Sequence, residues 1–291
     1  MEPFGVGMRG PVLRDVRMFL RRLQRRVLPD FLIIGAQKSG TSSLYRYLDQ
    51  HPQVRGSVPK EVHYFDGGLE AGIDSYALGE SWYRAHFPLC SEMAGKRAFE
   101  ASPLYLLHPL AAERIAALLP HVKLVAILRD PTERALSHYF HNLRNNALRQ
   151  FREDLPPLEA MAAEEARLAP VLDAHDYKSE AFRAYSYKAR GRYLEQLQRY
   201  RDRFPRENLL VLRAEDLFED PAGLMRRLAD FLGLDHVRGP VDFEARNVGG
   251  NRAPVEPGVR EMLDAYFAPH NRALAEVLGQ DFGWQRLRRA S

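Results

Sequence analysis

Phe31-Leu-Ile-Ile-Gly35-Ala-Gln-Lys38-Ser39-Gly40-Thr41-Ser42-Ser43-Leu44 is the stretch on which the fold turns. Four apolar residues suited to a buried strand run into Gly35. A second glycine follows at Gly40, and the apolar spacing then changes to that of a helix over 41–50. At such a helix start the free backbone N–H groups and the macrodipole favour an anion. Glycine lets the ligand approach the backbone, and the hydroxyls of Ser39, Thr41 and Ser42 add donors. An ordinary helix N-cap is the plainer reading, but strand, paired glycines, lysine and hydroxyls together favour a phosphate loop.

Outward from the loop, the chain keeps alternating. Short strands are expected at 97–99, 122–128 and 208–212. Helices are expected at 109–119, 132–144, 187–204, 224–232 and 258–278, the last interrupted near Pro269. This predicts an α/β fold, a single P-loop-type domain with a central, mostly parallel sheet flanked by helices. Residues 145–186 break the alternation with Pro156-Pro157 and an Ala/Glu-rich stretch, and read as an insertion serving as a substrate lid or wall.

Composition narrows the function classes. The chain has 291 residues, 45% of them apolar, enough for a sizeable core. A single cysteine, Cys90, excludes an internal disulfide framework and a multi-cysteine metal site. It is expected to be a small buried or half-buried side chain. The formal charge is +4, but residues 1–28 carry seven arginines against two acids, and the last six residues carry three more arginines. The remaining body, 29–285, is therefore −4, so nucleic acid is not expected as a partner. Within the basic segment, Leu13, Val16, Leu20, Leu23 and Val27 recur at helical spacing. Residues 12–28 read either as a peripheral contact with an anionic membrane or as a helix packed on the body. No apolar run reaches the roughly 18 residues of a membrane span. With no secretory signal evident, a cytoplasmic location is expected, peripheral to a membrane if the basic helix docks there.

Gly35 and Gly40 have the spacing of a nucleotide triphosphatase loop, but the residue after Gly40 is Thr41, and the lysine sits earlier, at 38. The strand over 122–128 ends in Arg129, where a metal-holding acid would be needed. These departures suit a nucleotide without a γ-phosphate. Gln37-Lys38-Ser39-Gly40-Thr41-Ser42 resembles the 5′-phosphosulfate loop of sulfotransferases that use 3′-phosphoadenosine 5′-phosphosulfate (PAPS). The likeness is closer to the heparan sulfate branch than to the cytosolic small-molecule branch. The resemblance implies that these six residues hold the 5′-phosphate and sulfonyl group, with Lys38 stabilising charge on the bridging oxygen.

Three further stretches extend the resemblance over roughly residues 29–285. Lys60-Glu61-Val62-His63-Tyr64-Phe65-Asp66 is similar to the glycan enzymes' segment that carries the general base. That implies Glu61 as base, with His63 or Asp66 as rivals, and Lys60 and Asp66 facing substrate. Arg129-Asp-Pro131-Thr-Glu-Arg134-Ala-Leu-Ser137 resembles the family's 3′-phosphate site, assigning Arg129 and Ser137 to that phosphate. Arginine's fork suits phosphate oxygens. Asn247-Val-Gly249-Gly250-Asn251-Arg252 resembles the loop that closes over the nucleotide, assigning Gly250, Asn251 and Arg252. One departure stands out: the relatives' lysine after the glutamate of Glu100-Ala101-Ser102 is here Ala101. Tyr193 reads as a core-facing helix tyrosine, with reach to the nucleotide as the alternative.

The resemblance thus implies transfer of a sulfuryl group from PAPS to a hydroxyl or amine of a carbohydrate-like acceptor, by in-line displacement, leaving 3′-phosphoadenosine 5′-phosphate (PAP), with no metal. Alternatives are a P-loop kinase or triphosphatase, or a sulfotransferase for a small-molecule or lipid alcohol. The expected organisation is a basic segment (1–28), a sulfotransferase domain (29–285) and a basic tail (286–291).

Overall fold

The computed structural model describes residues 18–146, 153–237, 241–244 and 254–284. Its elements in chain order are β1 (Phe31–Gly35), α1 (Thr41–Asp49), β2 (Val54–Gly56), α2 (Glu80–Arg84), β3 (Arg97–Ala101), α3 (Ala111–Leu118), β4 (Lys123–Leu128) and α4 (Pro131–Asn146). They continue with α5 (Pro157–Ala162), α6 (Glu164–Asp173), α7 (Glu180–Ala184), α8 (Tyr193–Arg201), β5 (Leu209–Arg213), α9 (Asp216–Glu219), α10 (Pro221–Leu232) and α11 (Pro257–Leu278).

The five strands form one sheet in the order β2-β3-β1-β4-β5, every pairing parallel. β1 is central, which is why all five of its residues are buried and why its sequence is continuously apolar rather than alternating. The alternation of side chains divides it between two cores. Phe31 and Ile33 pack with Leu44, Tyr47 and Leu48 of α1 and with Leu224 and Leu228 of α10. Leu32 and Ile34 pack with Ile115 of α3 and with Tyr193, Leu197 and Tyr200 of α8. Because α1 lies on one face and α3 on the other, the chain changes sides beside β1. Open α/β sheets bind ligands at the carboxyl ends of the strands at such a switch.

Residues 153–186 are largely helical and anchored to the body. Buried Glu153 accepts from Tyr187 Oη at 2.7 Å and from Arg167 Nη1 at 2.9 Å. Ala160 and Met161 of α5 join Leu136 and Tyr139 of α4 and Leu263 and Phe267 of α11 in a third core. Phe182 of α7 packs on Leu104 and Leu107, just beyond the carboxyl end of β3.

Several expectations change. Cys90 is exposed, not buried, because it opens a surface turn whose backbone is tied to the Arg25 carbonyl. The helix expected over 187–204 is confined to Tyr193–Arg201, since residues 187–192 are held in tight turns by Arg134 and Glu164. The expected break near Pro269 does not occur: α11 runs through it. Val259, Leu263 and Phe267 before the proline and Leu274 after it are all buried, so packing on both sides offsets the lost N–H. Strand β2 went unpredicted. Of the basic segment, residues 18–22 are helical; residues 12–17 and the C-terminal tail lie outside the described residues. Arg21 Nε donates to the Ala85 carbonyl and Arg26 Nη1 to that of Phe87, both at 2.5 Å, so this end of the segment packs on the body. Leu20 and Leu23 nevertheless remain 54% and 69% exposed.

Candidate active site

The phosphate loop leaves β1 at Gly35 and ends at Gly40, whose φ of +91° is left-handed. Gly40 caps α1 with no side-chain hydrogen bond, and the start of a helix is a natural place for an outside acceptor. A Cβ at Gly40 would lie 2.6 Å from Leu217 Cδ1, so both backbone and space demand glycine. Ser39 is buried, and its Oγ has no partner among the described residues, nor has Gln37 Oε1. Buried hydroxyls without partners are uncommon. Here one lies beside the start of α1, where the helix macrodipole favours an anion, so the residues present fit a phosphate or sulfonate group.

Lys60, Glu61, His63 and Asp66 form one connected chain that reaches this loop. Lys60 Nζ donates to Ser42 Oγ at 3.2 Å and to Glu61 Oε1 at 2.7 Å. Glu61 Oε2 lies 3.2 Å from His63 Nε2, and His63 Nδ1 lies 2.6 Å from Asp66 Oδ2. Asp66 is buried, whereas the Glu61 side chain is 40% exposed. Burial disfavours charge on His63, but Asp66 first and Glu61 second outweigh it and push its pKa up to about 10. Burial likewise raises Glu61, but the His63 hydrogen bond and Lys60 overcome it and bring it down to about 2. At neutral pH the imidazolium therefore sits between two carboxylates, and Glu61 is the one open to solvent. Asp66 is enclosed, its oxygens engaged by His63 and the Gly68 N–H.

Lys38 and His63 are two of the three non-glycine residues with positive φ among the described residues, at +70° and +54°. Such conformations cost on the order of 1–3 kcal/mol and gather at functional sites. What holds the second of them is Glu100, which the sequence places in a family-like segment without showing its role as a buried acceptor. Glu100, completely buried on β3, accepts from Tyr83 Oη at 2.6 Å, Ser102 Oγ at 2.7 Å, Tyr105 Oη at 2.9 Å and the Val62 N–H at 3.2 Å. The His63 N–H donates to Ser102 Oγ and the Tyr64 N–H to Tyr105 Oη. The backbone of 62–64 is thus hung on Glu100, Ser102 and Tyr105. Burial raises the Glu100 pKa against these four donors.

On the other side of β1, Arg129 follows β4, and its Nη1 donates to the Lys38 carbonyl at 3.3 Å. Tyr193 Oη donates to the Arg129 carbonyl at 2.8 Å, and the Tyr193 ring is 1% exposed. Tyr193 is therefore the core-facing tyrosine expected, and it fixes the backbone of the arginine. Ser137 is buried on α4, about two turns on. Gly250, Asn251 and Arg252 lie outside the described residues. Two more groups on α4 were not foreseen. Arg134 is fully buried; its Nη2 donates to the Tyr187 carbonyl, while Nε and Nη1 have no partner among the described residues. His138, one turn on, is held well below its ordinary pKa by burial, then by Arg190, Arg134 and Lys38. Arginine and histidine four apart on one helix was the available signal, but burial could not be read from it.

A phosphate loop and an arginine at adjacent strand ends, with a carboxylate–imidazole chain touching the loop, define a nucleotide-dependent group-transfer enzyme. The comparisons supply the family. Residues 28–247 match the family described as "Sulfotransferase domain". The heparan sulfate glucosamine 3-O-sulfotransferase 3A1 of Mus musculus is 31% identical over 88% of this chain and 64% of its own length. The membrane-associated sulfotransferase kil1 of Dictyostelium discoideum is 28% identical over 89% of this chain and 67% of its own. The crystal structure of a sulfotransferase from Alicyclobacillus acidocaldarius superposes with a TM-score of 0.71 at 32% identity, covering 89% of this chain and 99% of that one. The chain belongs to the sulfotransferase family, enzymes whose sulfuryl donor is PAPS.

Proposed function

We propose that the protein transfers the sulfuryl group of PAPS to a hydroxyl or amine of a carbohydrate-like acceptor, with Glu61 receiving the acceptor's proton. The observation that carries this is the chain Lys60–Glu61–His63–Asp66, which joins the phosphate loop at Ser42 to one carboxylate open to solvent. The acceptor oxygen or nitrogen attacks sulfur, the bond from sulfur to the 5′-phosphate oxygen breaks, and PAP leaves with the electron pair. The proton lost by the acceptor passes to Glu61. Transfer of a charged group through a loose transition state depends mainly on positioning and charge stabilisation. That leaves Glu61 the task of a placed proton acceptor, to which His63 lends orientation.

Gln37, Lys38, Ser39, Gly40, Thr41 and Ser42 would hold the 5′-phosphosulfate and Arg129 and Ser137 the 3′-phosphate, with Gly250, Asn251 and Arg252 closing over the nucleotide. A glycan acceptor is supported by the heparan sulfate relatives at about 30% identity. The helical stretch before residue 186 packs on the loop that follows Asp66: Arg183 of α7 donates to the Leu69 carbonyl and Lys178 to that of Glu70. The deciding experiment is incubation with PAPS and a panel of a heparan-type oligosaccharide, a lipid-linked sugar and a small alcohol, read by mass spectrometry. Sulfate on the oligosaccharide is expected; sulfate on the alcohol alone would sink the glycan reading. Glu61→Gln should lower turnover roughly 10²–10⁴-fold while PAP still binds.

A peripheral membrane contact belongs to the same reading. Phe19, Leu20 and Leu23 are exposed beside the arginines of the basic segment, and one relative is named as membrane-associated. Among the described residues no helix is long and apolar enough to cross a membrane.

A further inference from the structure

Lys60 occupies a position that the transfer reaction as proposed leaves unused. Its backbone is fixed: its carbonyl accepts from the Ala101 N–H at 3.1 Å and from Ser57 Oγ at 3.2 Å. Its ammonium is shared, with Ser42 Oγ at the head of α1 on one side and Glu61 Oε1 on the other. An ammonium has three N–H donors. Two are used, and the third has no protein partner among the described residues. Both Glu61 oxygens are engaged by the same arrangement, since Lys60 takes Oε1 and His63 takes Oε2, although the side chain stays 40% exposed. An acceptor hydroxyl approaching Glu61 would meet oxygens already bonded to two cations.

We infer that Lys60 is a positioning residue that couples occupancy of the phosphate loop to the availability of Glu61. This rests on the loop's being the site of the 5′-phosphosulfate. An anion seated against Ser42 would lie beside the Lys60 ammonium, whose Nζ is 3.2 Å from Ser42 Oγ. Phosphate or sulfonate oxygens then compete with Glu61 for the ammonium. When they win, Oε1 is uncovered, and Glu61 loses a cation that had suppressed its basicity. The base is thereby prepared only when donor is present, and Lys60 adds charge stabilisation where the leaving group forms. By linkage the effect is reciprocal: Glu61 must oppose nucleotide binding through Lys60 as much as nucleotide frees Glu61.

This reciprocity gives a test by isothermal titration of PAP into four proteins: wild type, Glu61→Gln, Lys60→Met and the double variant. Removing the Glu61 charge relieves simple repulsion of the anionic nucleotide in both lysine backgrounds. Only where Lys60 is present does it also free the ammonium. Glu61→Gln should therefore tighten PAP by roughly fivefold or more beyond its effect in the Lys60→Met background. Equal effects in the two backgrounds would overturn the coupling while leaving the donor reading intact. Failure of the wild type to bind PAP would overturn the donor reading itself, and the coupling with it. Thermal melts establish that each variant folds, and Lys60→Gln replaces Lys60→Met if the latter does not.

Discussion

Asp66 does its work through one hydrogen bond. It holds the His63 imidazole charged and turned toward Glu61, and with Glu61 it outweighs the effect of burial. In Asp66→Asn the largest opposing influence is gone, so burial should lower the His63 pKa by roughly 1–3 units. The alkaline limb of kcat/KM for the acceptor should move to lower pH by that amount. An unchanged profile would mean that His63 is not part of the functional unit. The stability consequences have opposite signs at the two ends of the chain. His63, raised to about 10, contributes fully below its ordinary 6.5 and progressively less as pH rises through about 10. Glu61, lowered to about 2, contributes fully above its ordinary 4.5 and loses that contribution as pH falls through about 2. Chemical denaturation at a series of pH values should therefore show both contributions complete between 4.5 and 6.5.

At the scale of elements, β3 does more than pair with β1. It delivers Glu100 to a point where three hydroxyls and the Val62 N–H converge. Glu100→Gln places an amide among those donors, and one or more of them must lose its acceptor inside the core. Leaving a buried donor without its acceptor costs about 1–3 kcal/mol. Because the same network suspends residues 62–64, turnover should fall even in the fraction that stays folded. Denaturant titration and single-turnover kinetics measure the two effects separately. The resemblance marked Glu100-Ala101-Ser102, but the network itself was not legible, because the partners of Glu100 include Tyr83, in another element. The loop of 36–40 was legible, because strand, glycines, hydroxyls and helix are contiguous there. Gly40→Ala is the corresponding test. A left-handed alanine costs about 1–2 kcal/mol, and its Cβ would press on Leu217. Stability should fall by at least that much and PAP affinity with it.

For the whole molecule, what sequence reading reached and missed follows from distance along the chain. The two phosphate motifs lie nearly a hundred residues apart, yet each is a local strand-to-helix turn, so both could be read. The pairing of β1 with β4, which brings Arg129 to the Lys38 carbonyl, closes a long loop that no local pattern encodes. β2, three residues long at the sheet edge, is too short to show a period. Long-range assembly also predicts how the domain responds to ligand. Lys38 follows β1, Arg129 follows β4 and Glu61 is held by β3, so a nucleotide spanning these ends ties together strands that must separate on unfolding. PAP should stabilise the protein against heat by RT ln(1 + [L]/Kd), about 2.7 kcal/mol at a hundredfold excess over Kd. Arg129→Ala should reduce that gain at fixed PAP by weakening the 3′-phosphate contact. Mg-ATP, lacking a 3′-phosphate, should give much less stabilisation than PAP. If Mg-ATP stabilised the domain and PAP did not, the shifted lysine would have to serve a γ-phosphate, and the assignment of the loop to a phosphosulfate would be wrong.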